Sequence, residues 1–426
     1  MENYIAQCVA RREKVFDEIG KDGVAVIFAA PERRRSNDTF YPYRQDSNFF
    51  YLTGFNEPDA ALILEGSKRE SILFCRDKNP EREIWDGVRC GVENAKCLYY
   101  MDKTYDIEQF RKKLTGYLKG HQRLFFISKQ NRKLDKEVLR LWFSLQTKRQ
   151  KTQDICKDFN SILTPMRQIK DEVELNFLRQ AAKISAAGHI RAMQSVKPDM
   201  WEYQIEGIVL SEFFQYGARN PAYNTIVAGG KNACILHYID NQDKLKNGDL
   251  LMMDAGAEWH NYAGDISRTF PVNGKFSAAQ KAVYEVVLGV NKAVISAVKS
   301  GVLYADLHKL SEKLLTQGLI DLGLLSGSLD MLLKKKAFRR FYMHGIGHFL
   351  GLDVHDVGER KTLRENMCLT VEPGLYIPDE PNIPAEFRGV GIRIEDNVIV
   401  GKDSCEVYTQ DAPKEIDEIE NLMAEK

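Results

Sequence analysis

The amino-acid sequence predicts an α/β (α+β) protein with a mixed α/β domain over residues 1–165 and a second α+β domain over residues 166–426. The chain of 426 residues is longer than one hydrophobic core usually serves. Short apolar runs separated by helical or polar stretches dominate its first part. In its second part helix-start signals recur in two similar units, which indicates an internal structural repeat.

The first domain is predicted from four brief apolar runs, at residues 24–28, 61–64, 71–74 and 124–127. Apolar runs of this length, separated by helical or polar segments, are typical of buried strands. We therefore expect a buried mixed sheet in this domain. The segment Pro165-Met166-Arg167-Gln168-Ile169-Lys170 marks the boundary with the second domain.

The second domain is predicted from helix caps. In a capping box, the cap side chain and the side chain three residues later satisfy each other's backbone N–H groups. Three pairs fit this pattern: Asp171 with Glu174, Asp199 with Glu202, and Ser277 with Gln280. They predict two helix pairs, at about 171–196 with 199–216 and at about 277–299 with 304–318, each followed by strands. Two such α-α-β units facing each other would bring their strands to a shared centre.

Charged side chains lie at the ends of the predicted strands. Asp254 ends an apolar strand and Asp265 begins the next one after a turn, so we expect both carboxylates on adjacent strands of a hairpin. Near the C-terminus, Arg393, Glu395 and Asn397 share one face of a strand because successive side chains alternate. The apolar residues between them must then face the core.

Five side chains form a candidate metal site: Asp254, Asp265, His348, Glu372 and Glu395. Charges that enter apolar segments are costly unless something compensates them. Four acids and one imidazole cannot neutralise one another, and Arg393 is the one cation among these motifs, so two divalent cations are the expected compensation. Oxygen-rich ligation favours Mn²⁺, with Co²⁺, Fe²⁺ or Zn²⁺ as alternatives. A buried acid cluster that shares protons is the interpretation without metal.

A pair of metal ions can hold a hydroxide whose pKa is lowered toward ~7, and this nucleophile suits attack on an amide or ester carbonyl. The resulting oxyanion would need hydrogen-bond donors. His237, His344 and His355 are the candidates, although each taken singly could equally be a structural histidine.

Composition excludes other function classes. Sixty basic and sixty acidic side chains cancel, and no long run of like charge occurs, which argues against nucleic-acid binding. No apolar run reaches the length of a membrane span, and the N-terminus does not read as a signal peptide. The eight cysteines show no C-x-x-C pair, so reduced thiols in the cytoplasm are expected.

The chain resembles the pita-bread metallopeptidases, and among them the aminopeptidase P (Xaa-Pro aminopeptidase) family. The resemblance spans nearly the whole sequence and rests on eight segments: residues 43–55, 223–227, 236–238, 254–256, 262–271, 343–345, 352–358 and 371–376. It implies a family-type N-terminal domain over residues 1–165 and a pseudo-twofold pita-bread catalytic domain over 166–426. It also implies cleavage between an N-terminal residue and a following proline, and two manganese ions.

The resemblance assigns each metal ligand. Asp254 would bind one ion, His348 and Glu372 would bind the other, and Asp265 and Glu395 would bridge the two. Glu372 would also act as the general base toward the bridging water or hydroxide. The substrates implied are peptides with proline in the second position.

The resemblance also assigns residues around the metals. His355 and His237 would bind substrate and stabilise the tetrahedral intermediate, and His344 would contact substrate or transfer a proton. Arg393 would hold a metal-binding carboxylate. The family forms homodimers or homotetramers, in which a neighbouring subunit helps close the site, and Trp85 resembles a residue of that contact.

Three related activities and one non-catalytic role are the alternatives. A prolidase, which cleaves Xaa-Pro dipeptides, shares the fold and ligand types, whereas residues 43–55 favour aminopeptidase P. Methionine aminopeptidases usually lack a long N-terminal domain, and creatinases work without metal, which the five intact ligands disfavour. A pita-bread module that only binds peptides would be expected to have degenerate ligands.

Overall fold

Two units, Met1–Met166 and Arg167–Lys426, make up the chain. The computed structural model describes residues 1–128, 131–146 and 155–425. Among these described residues, no helix has both the length and the apolar character that crossing a membrane requires.

A six-stranded mixed sheet organises the first unit, and all four predicted strands lie in it. Its strand order is β6-β5-β4-β1-β7-β8, with β1 antiparallel to β4 and parallel to β7. Apolar side chains on β1 are buried on both faces, as expected for a central strand. The elements are α1 (Glu2–Ile19), β1 (Gly23–Phe28), β2 (Arg34–Ser36), β3 (Thr39–Phe40), α2 (Ser47–Thr53), β4 (Ala61–Glu65), β5 (Glu70–Cys75), α3 (Pro80–Asp86), α4 (Val92–Leu98), β6 (Lys103–Asp106), α5 (Phe110–Leu118), β7 (Arg123–Phe126), α6 (Arg132–Gln146) and β8 (Ile155–Asp158). The predicted mixed sheet is confirmed.

The second unit repeats one pattern, a helix pair followed by an antiparallel three-stranded sheet. The helix α7 (Asn160–Gln168) leads into it. The first half contains α8 (Glu172–Ser195), α9 (Glu202–Gln215), β9 (Asn220–Pro221), β10 (Ile226–Gly229), β11 (Leu250–Asp254), β12 (Ala257–Trp259), β13 (Tyr262–Ala263) and β14 (Ser267–Pro271). The second half contains α10 (Ala278–Ala297), α11 (Tyr304–Asp321), α12 (Leu329–Lys334), β15 (Cys368–Val371), β16 (Gly374–Tyr376), β17 (Gly391–Arg393), β18 (Asp396–Val400), β19 (Cys405–Val407) and α13 (Ile416–Ala424). One three-stranded sheet in each half, β10-β11-β14 in the first and β15-β18-β19 in the second, follows the helix pair, and the predicted repeat of helix pairs and strands is therefore present.

Two of the three predicted capping boxes form, and the third is wrong. Asp171 and Ser277 cap α8 and α10 as predicted. Helix α9 instead begins at Glu202, where Gln204 accepts from the backbone N–H of Trp201 at 2.8 Å. The carboxylate of Glu202 is fully buried and accepts from Tyr238 and from backbone groups across the fold, so it cannot serve a local cap.

The hairpin expected between Asp254 and Asp265 is also different in detail. Strand β11 pairs with β14, but Asp254 lies opposite Ser267, and the short strands β12 and β13 intervene. Asp265 lies in the turn just before β14. Gly256 allows this arrangement, because a Cβ there would lie 1.7 Å from the carbonyl oxygen of Gly264.

The strand predicted near the C-terminus is split in two. Strand β17 pairs with β16, whereas β18 pairs with β15, and Glu395 lies in the crossing between them. The backbone N–H of Glu395 donates to the carbonyl of Ser267 at 3.0 Å, which ties the crossing to β14. The crossing therefore brings the second half of the unit against the first.

Candidate active site

A cavity of about 570 Å³ lies in the second unit, and charged side chains from both of its halves line it. Its walls include all nine residues that the sequence singles out in this unit: His237, Asp254, Asp265, His344, His348, His355, Glu372, Arg393 and Glu395. Tyr223 and Asn224, to which no sequence pattern assigns a role, also line it.

Three predicted metal ligands converge closely. One ligand atom each of Asp265, His348 and Glu395 lies within 4.8 Å of the others. The Nε2 atom of His348 lies 3.3 Å from Oδ2 of Asp265 and 3.7 Å from Oε1 of Glu372. The four side chains thus surround a volume of the size that a cation site needs.

Asp254 completes the set from the end of β11. Its Oδ2 atom accepts from Nη2 of Arg393 at 2.6 Å, so the predicted contact between Arg393 and a site carboxylate is present. Arg393 also donates from Nε to Ser267 at 2.8 Å and from Nη1 to Tyr376 at 3.1 Å. These three bonds hold the guanidinium at the wall of the cavity and leave one oxygen of Asp254 facing Tyr223.

No sequence pattern indicated a role for Tyr223. In the structure its hydroxyl lies between two carboxylates. The hydroxyl oxygen is 2.5 Å from Oδ1 of Asp254 and 2.7 Å from Oδ1 of Asp265. A hydroxyl carries one proton, so it can donate fully to one of these oxygens only. The second short contact needs a proton on the carboxylate or a cation between the acids.

Other polar side chains fix the ligands from behind. Ser267 donates from Oγ to Glu395 at 2.8 Å, and the backbone N–H of Asp265 donates to Asn397 at 3.0 Å. Thr370 on β15 accepts from the backbone N–H of His348 at 3.0 Å. In the sequence Asn397 and Thr370 each lie two residues from a predicted ligand, Glu395 and Glu372 respectively. This closeness is the signal from which both could have been found.

The acids repel one another strongly in this buried site. Burial raises the pKa of Glu395 well above its ordinary value, and the neighbouring Asp265 and Glu372 raise it further. Burial likewise raises the pKa of Asp265, and it raises the pKa of Glu372 to about 7 despite the opposing effect of His348. Burial lowers the pKa of His348, but its contact with Asp265 outweighs this and brings the value to about 9.

The charges and donor atoms of these residues fit a site for divalent cations better than a cluster of acids that share protons. The Nδ1 atom of His348 lies 3.0 Å from the carbonyl oxygen of Phe349, and an N–H there leaves Nε2 as the ligand atom facing Asp265. Four carboxylates face one guanidinium and one imidazole, so the site without metal retains excess negative charge. Cations neutralise this charge directly. Protons neutralise it only if the pKa values of the carboxyl groups stay far above their ordinary values.

The metal-free protein is expected to lose stability as the pH rises from 6 to 8. Because the folded pKa of His348, about 9, exceeds its ordinary 6.5, its stabilising contribution is full below pH 6.5 and declines as the pH rises toward 9. The raised pKa of Glu372 has the same sign between its ordinary 4.5 and about 7. Urea unfolding in chelator should show a loss on the order of 1–2 kcal/mol over this range.

Saturating Mn²⁺ is the comparison for this measurement. Metal binding requires deprotonated ligands, so the fall in unfolding free energy should disappear or reverse when metal is present. A flat profile for the metal-free protein would contradict the predicted charge states of His348 and Glu372.

The three remaining histidines lie at different depths of the cavity. His344 is largely buried, with Nδ1 2.7 Å from the carbonyl oxygen of Gly345 and Nε2 2.8 Å from the hydroxyl of Tyr376. Burial, reinforced by Arg393, lowers the pKa of His344 to about 4, so it is neutral near pH 7. An N–H at Nδ1 then makes Nε2 the acceptor for Tyr376.

His355 and His237 are exposed on the cavity wall. The ring of His355 lies 4.3 Å from that of His348, centroid to centroid, at an interplanar angle of 67°. Burial and the neighbouring His348 lower the pKa of His355. A neutral imidazole in this position can donate a hydrogen bond into the cavity.

Trp85 lies in the first unit, on the short helix α3. Its side chain is 82% exposed, and its neighbour Ile84 is equally exposed. The two side chains form an apolar spot on the surface of that unit.

Comparison with known proteins covers nearly the whole chain. Residues 176–402 match the profile of metallopeptidase family M24, and residues 8–126 match the aminopeptidase P N-terminal domain. The chain is 43% identical to Xaa-Pro aminopeptidase of Haemophilus influenzae over 97% of its own length and 96% of that protein. It is 39% identical to Xaa-Pro aminopeptidase of Escherichia coli K12 over 97% and 96% of the respective lengths. The structure of zinc-substituted E. coli aminopeptidase P in complex with product has a TM-score of 0.95, 39% identity, and coverage of 99% of this chain and 98% of that one.

Proposed function

The chain belongs to the aminopeptidase P group of metallopeptidase family M24, and from this premise we propose how its residues act as a Xaa-Pro aminopeptidase. Its fold is the pita-bread fold preceded by the family's N-terminal domain, and residues 1–165 and 166–426 are the proposed bounds of the two domains. The reaction removes the N-terminal residue from a peptide whose second residue is proline.

The convergence of Asp265, His348 and Glu395 in one cavity carries the proposal. Asp265 and Glu395 would bridge two divalent cations, with Asp254 on one ion and His348 and Glu372 on the other. When bound, such ions act as Lewis acids toward the scissile carbonyl and lower the pKa of water to near 7. We propose Mn²⁺ as the physiological metal because most of the donor atoms are carboxylate oxygens.

Glu372 is the proposed general base. Its carboxylate lines the cavity, and its Oε1 atom lies 3.7 Å from Nε2 of His348, beside the proposed metal position. Thr370 donates to Oε1 of Glu372 at 3.3 Å and helps to set its orientation. Glu372 can therefore take a proton from the attacking water and pass it to the leaving proline nitrogen.

The histidines are proposed to serve the substrate. His355 and His237 on the cavity wall would donate hydrogen bonds to the oxyanion of the tetrahedral intermediate. His344, held by Gly345 and Tyr376, would contact the peptide or relay a proton.

Specificity for proline follows from its tertiary amide. The bond before proline has no N–H and its ring has a fixed shape, so a rigid cavity can accept it where an ordinary peptidase site cannot. Apolar and imidazole side chains form part of the wall, among them Ile226, Leu236 and Val354. The free α-amine of the first residue would lie at the acidic end of the cavity, which restricts cleavage to the N-terminus.

A peptide panel tests the proposed function against the prolidase alternative. The Mn²⁺-loaded protein should cleave Xaa-Pro-Xaa-Xaa peptides with kcat/KM at least about tenfold above that for Xaa-Pro dipeptides. Matched peptides with alanine in place of proline serve as the control and should be poor substrates. A preference for the dipeptide would reassign the chain as a prolidase.

Oligomeric state and compartment are further proposals. We propose a homodimer or homotetramer in which the apolar spot of Ile84 and Trp85 faces the site of a neighbouring subunit, because both side chains are strongly exposed. The cysteines are free, as expected in a reducing compartment, which supports the cytoplasm as the proposed location.

A further inference from the structure

A buried ion cluster lies directly beside His355. The carboxylate of Asp356 accepts from Nη2 of Arg167 at 2.5 Å and from Nζ of Lys170 at 2.9 Å. The three side chains are between 1% and 2% exposed, so their charges depend on one another for compensation. Arg167 also contacts Asp353 at 2.7 Å, which balances the second cation.

The cluster closes the loop that carries His355. The backbone N–H of Asp356 donates to the carbonyl of Phe349 at 2.8 Å and forms the neck of the loop. His348 immediately precedes this neck, and His355 lies just inside it. The carboxylate of Asp356 packs so tightly against Gly351 that a Cβ there would lie 2.1 Å from Oδ2. The distance between the rings of His348 and His355 therefore depends on where Asp356 is held.

The cations come from the segment that the sequence marks as a domain boundary. Besides Arg167 and Lys170, Gln168 donates from Nε2 to the carbonyl of Glu359 at 3.0 Å. The backbone N–H of Lys170 donates to the carbonyl of Asn366 at 3.0 Å. Ion pairs and hydrogen bonds therefore connect this segment to Asp356, Glu359 and Asn366, which all follow His355 in the chain.

A second buried cluster of the same composition provides a comparison. Asp396 accepts from Arg268 at 2.8 Å and from Lys414 at 2.6 Å, and it directly follows the ligand Glu395. Arg268 also donates to the carbonyl of Glu395 at 2.5 Å. Each cluster fixes the residue after a site residue, but one supports a histidine of the cavity wall and the other supports a proposed metal ligand.

We propose that Arg167 and Lys170, acting through Asp356, are positioning residues that hold His355 in place for the reaction. The proposal rests on the proposed function for its kinetic part. Because the clusters support different site residues, the kinetic and metal-binding consequences of breaking them should separate. Breaking the Asp356 cluster should affect turnover, and breaking the Asp396 cluster should affect metal binding.

The test compares Asp356→Asn and Asp396→Asn, with Glu406→Gln, which removes the surface pair of Glu406 with Arg179, as control. Asp356→Asn should lower kcat about 10- to 100-fold, with KM and the Kd for Mn²⁺ from calorimetry on metal-free protein each within about threefold of the parent. Asp396→Asn should weaken Mn²⁺ binding about 10- to 100-fold. The control should match the parent in all three quantities.

Histidine resonances provide a readout that does not require activity. In ¹³C-histidine-labelled protein, with signals assigned through His355→Gln, the ring signal of His355 should shift in Asp356→Asn and stay in place in Asp396→Asn. If the parent fails to cleave proline peptides, the proposed function fails while this measurement still tests the positioning role. If Asp356→Asn does not fold, Lys170→Met and Arg167→Lys take its place, with the same shift expected at a smaller size.

Two results would overturn the proposal. One is an unshifted His355 signal together with kcat within about threefold of the parent in a folded variant, which would leave the cluster with a role in stability only. The other is a loss of Mn²⁺ affinity in Asp356→Asn as large as that in Asp396→Asn, which would mean that the Asp356 cluster supports metal binding.

Discussion

Replacing Asp265 with alanine is expected to abolish peptide cleavage and to weaken metal binding, while the metal-free fold remains intact. Asp265 is the proposed bridge, so its loss removes a ligand that both ions would share. Its carboxylate lies 3.3 Å from Nε2 of His348 and 2.7 Å from the hydroxyl of Tyr223, at the centre of the site. Turnover should fall by at least about 10³-fold, since the proposed chemistry needs both ions. Kinetics at saturating Mn²⁺ and calorimetry of Mn²⁺ binding measure the two effects.

The stability of the same variant is an independent test of the charge interactions of Asp265. Burial raises the pKa of Asp265, and its charge raises the pKa values of Glu372 and Glu395. Removing Asp265 relieves this repulsion, but it also takes from His348 the carboxylate that raises its pKa to about 9. The two effects oppose each other, so the metal-free variant should unfold at a urea concentration close to that of the parent at pH 8. Asp403→Ala, an exposed carboxylate on the loop before β19, is the matched control and should change neither activity nor metal binding. Near-parental turnover with two metals bound in the Asp265 variant would contradict the ligand assignment.

The placement of the site could be predicted because its residues stand at the ends of strands. Asp254 follows an apolar run, and Glu372 follows β15 directly, so local patterning put both at a sheet edge. Arg393 and Glu395 were expected on one face of a single strand. They do meet, but through Ser267 and across a break between β17 and β18, because each half of that segment pairs with a different strand.

What escaped prediction depends on contacts between distant segments. Glu202 fits a helix cap by spacing, yet its carboxylate is used by groups 27 to 41 residues away. Tyr223 precedes β10, and its hydroxyl meets two carboxylates only because β10 pairs with β11. Arg167 and Asp356 are 189 residues apart, so no local pattern reveals their ion pair. Local spacing found the acids, whereas the partners that orient them follow from tertiary packing.

Replacing His355 with alanine should lower turnover about 10²- to 10³-fold and leave metal binding unchanged. A donor to a developing oxyanion contributes in the transition state, so kcat should fall while KM changes little. His355 contacts the ring of His348 at 4.3 Å, but the Nε2 atom of His348 faces Asp265. The Kd for Mn²⁺ should therefore stay within about threefold of the parent.

The control and the opposite outcome distinguish this role from metal ligation. His260→Ala removes a histidine from the turn between β12 and β13, outside the residues that line the cavity, and should leave kcat near the parental value. His355→Gln keeps an N–H donor and should recover part of the turnover that alanine loses. If His355→Ala releases Mn²⁺ instead, the imidazole is a ligand, and the oxyanion would have to be stabilised from His237 or from the ions themselves.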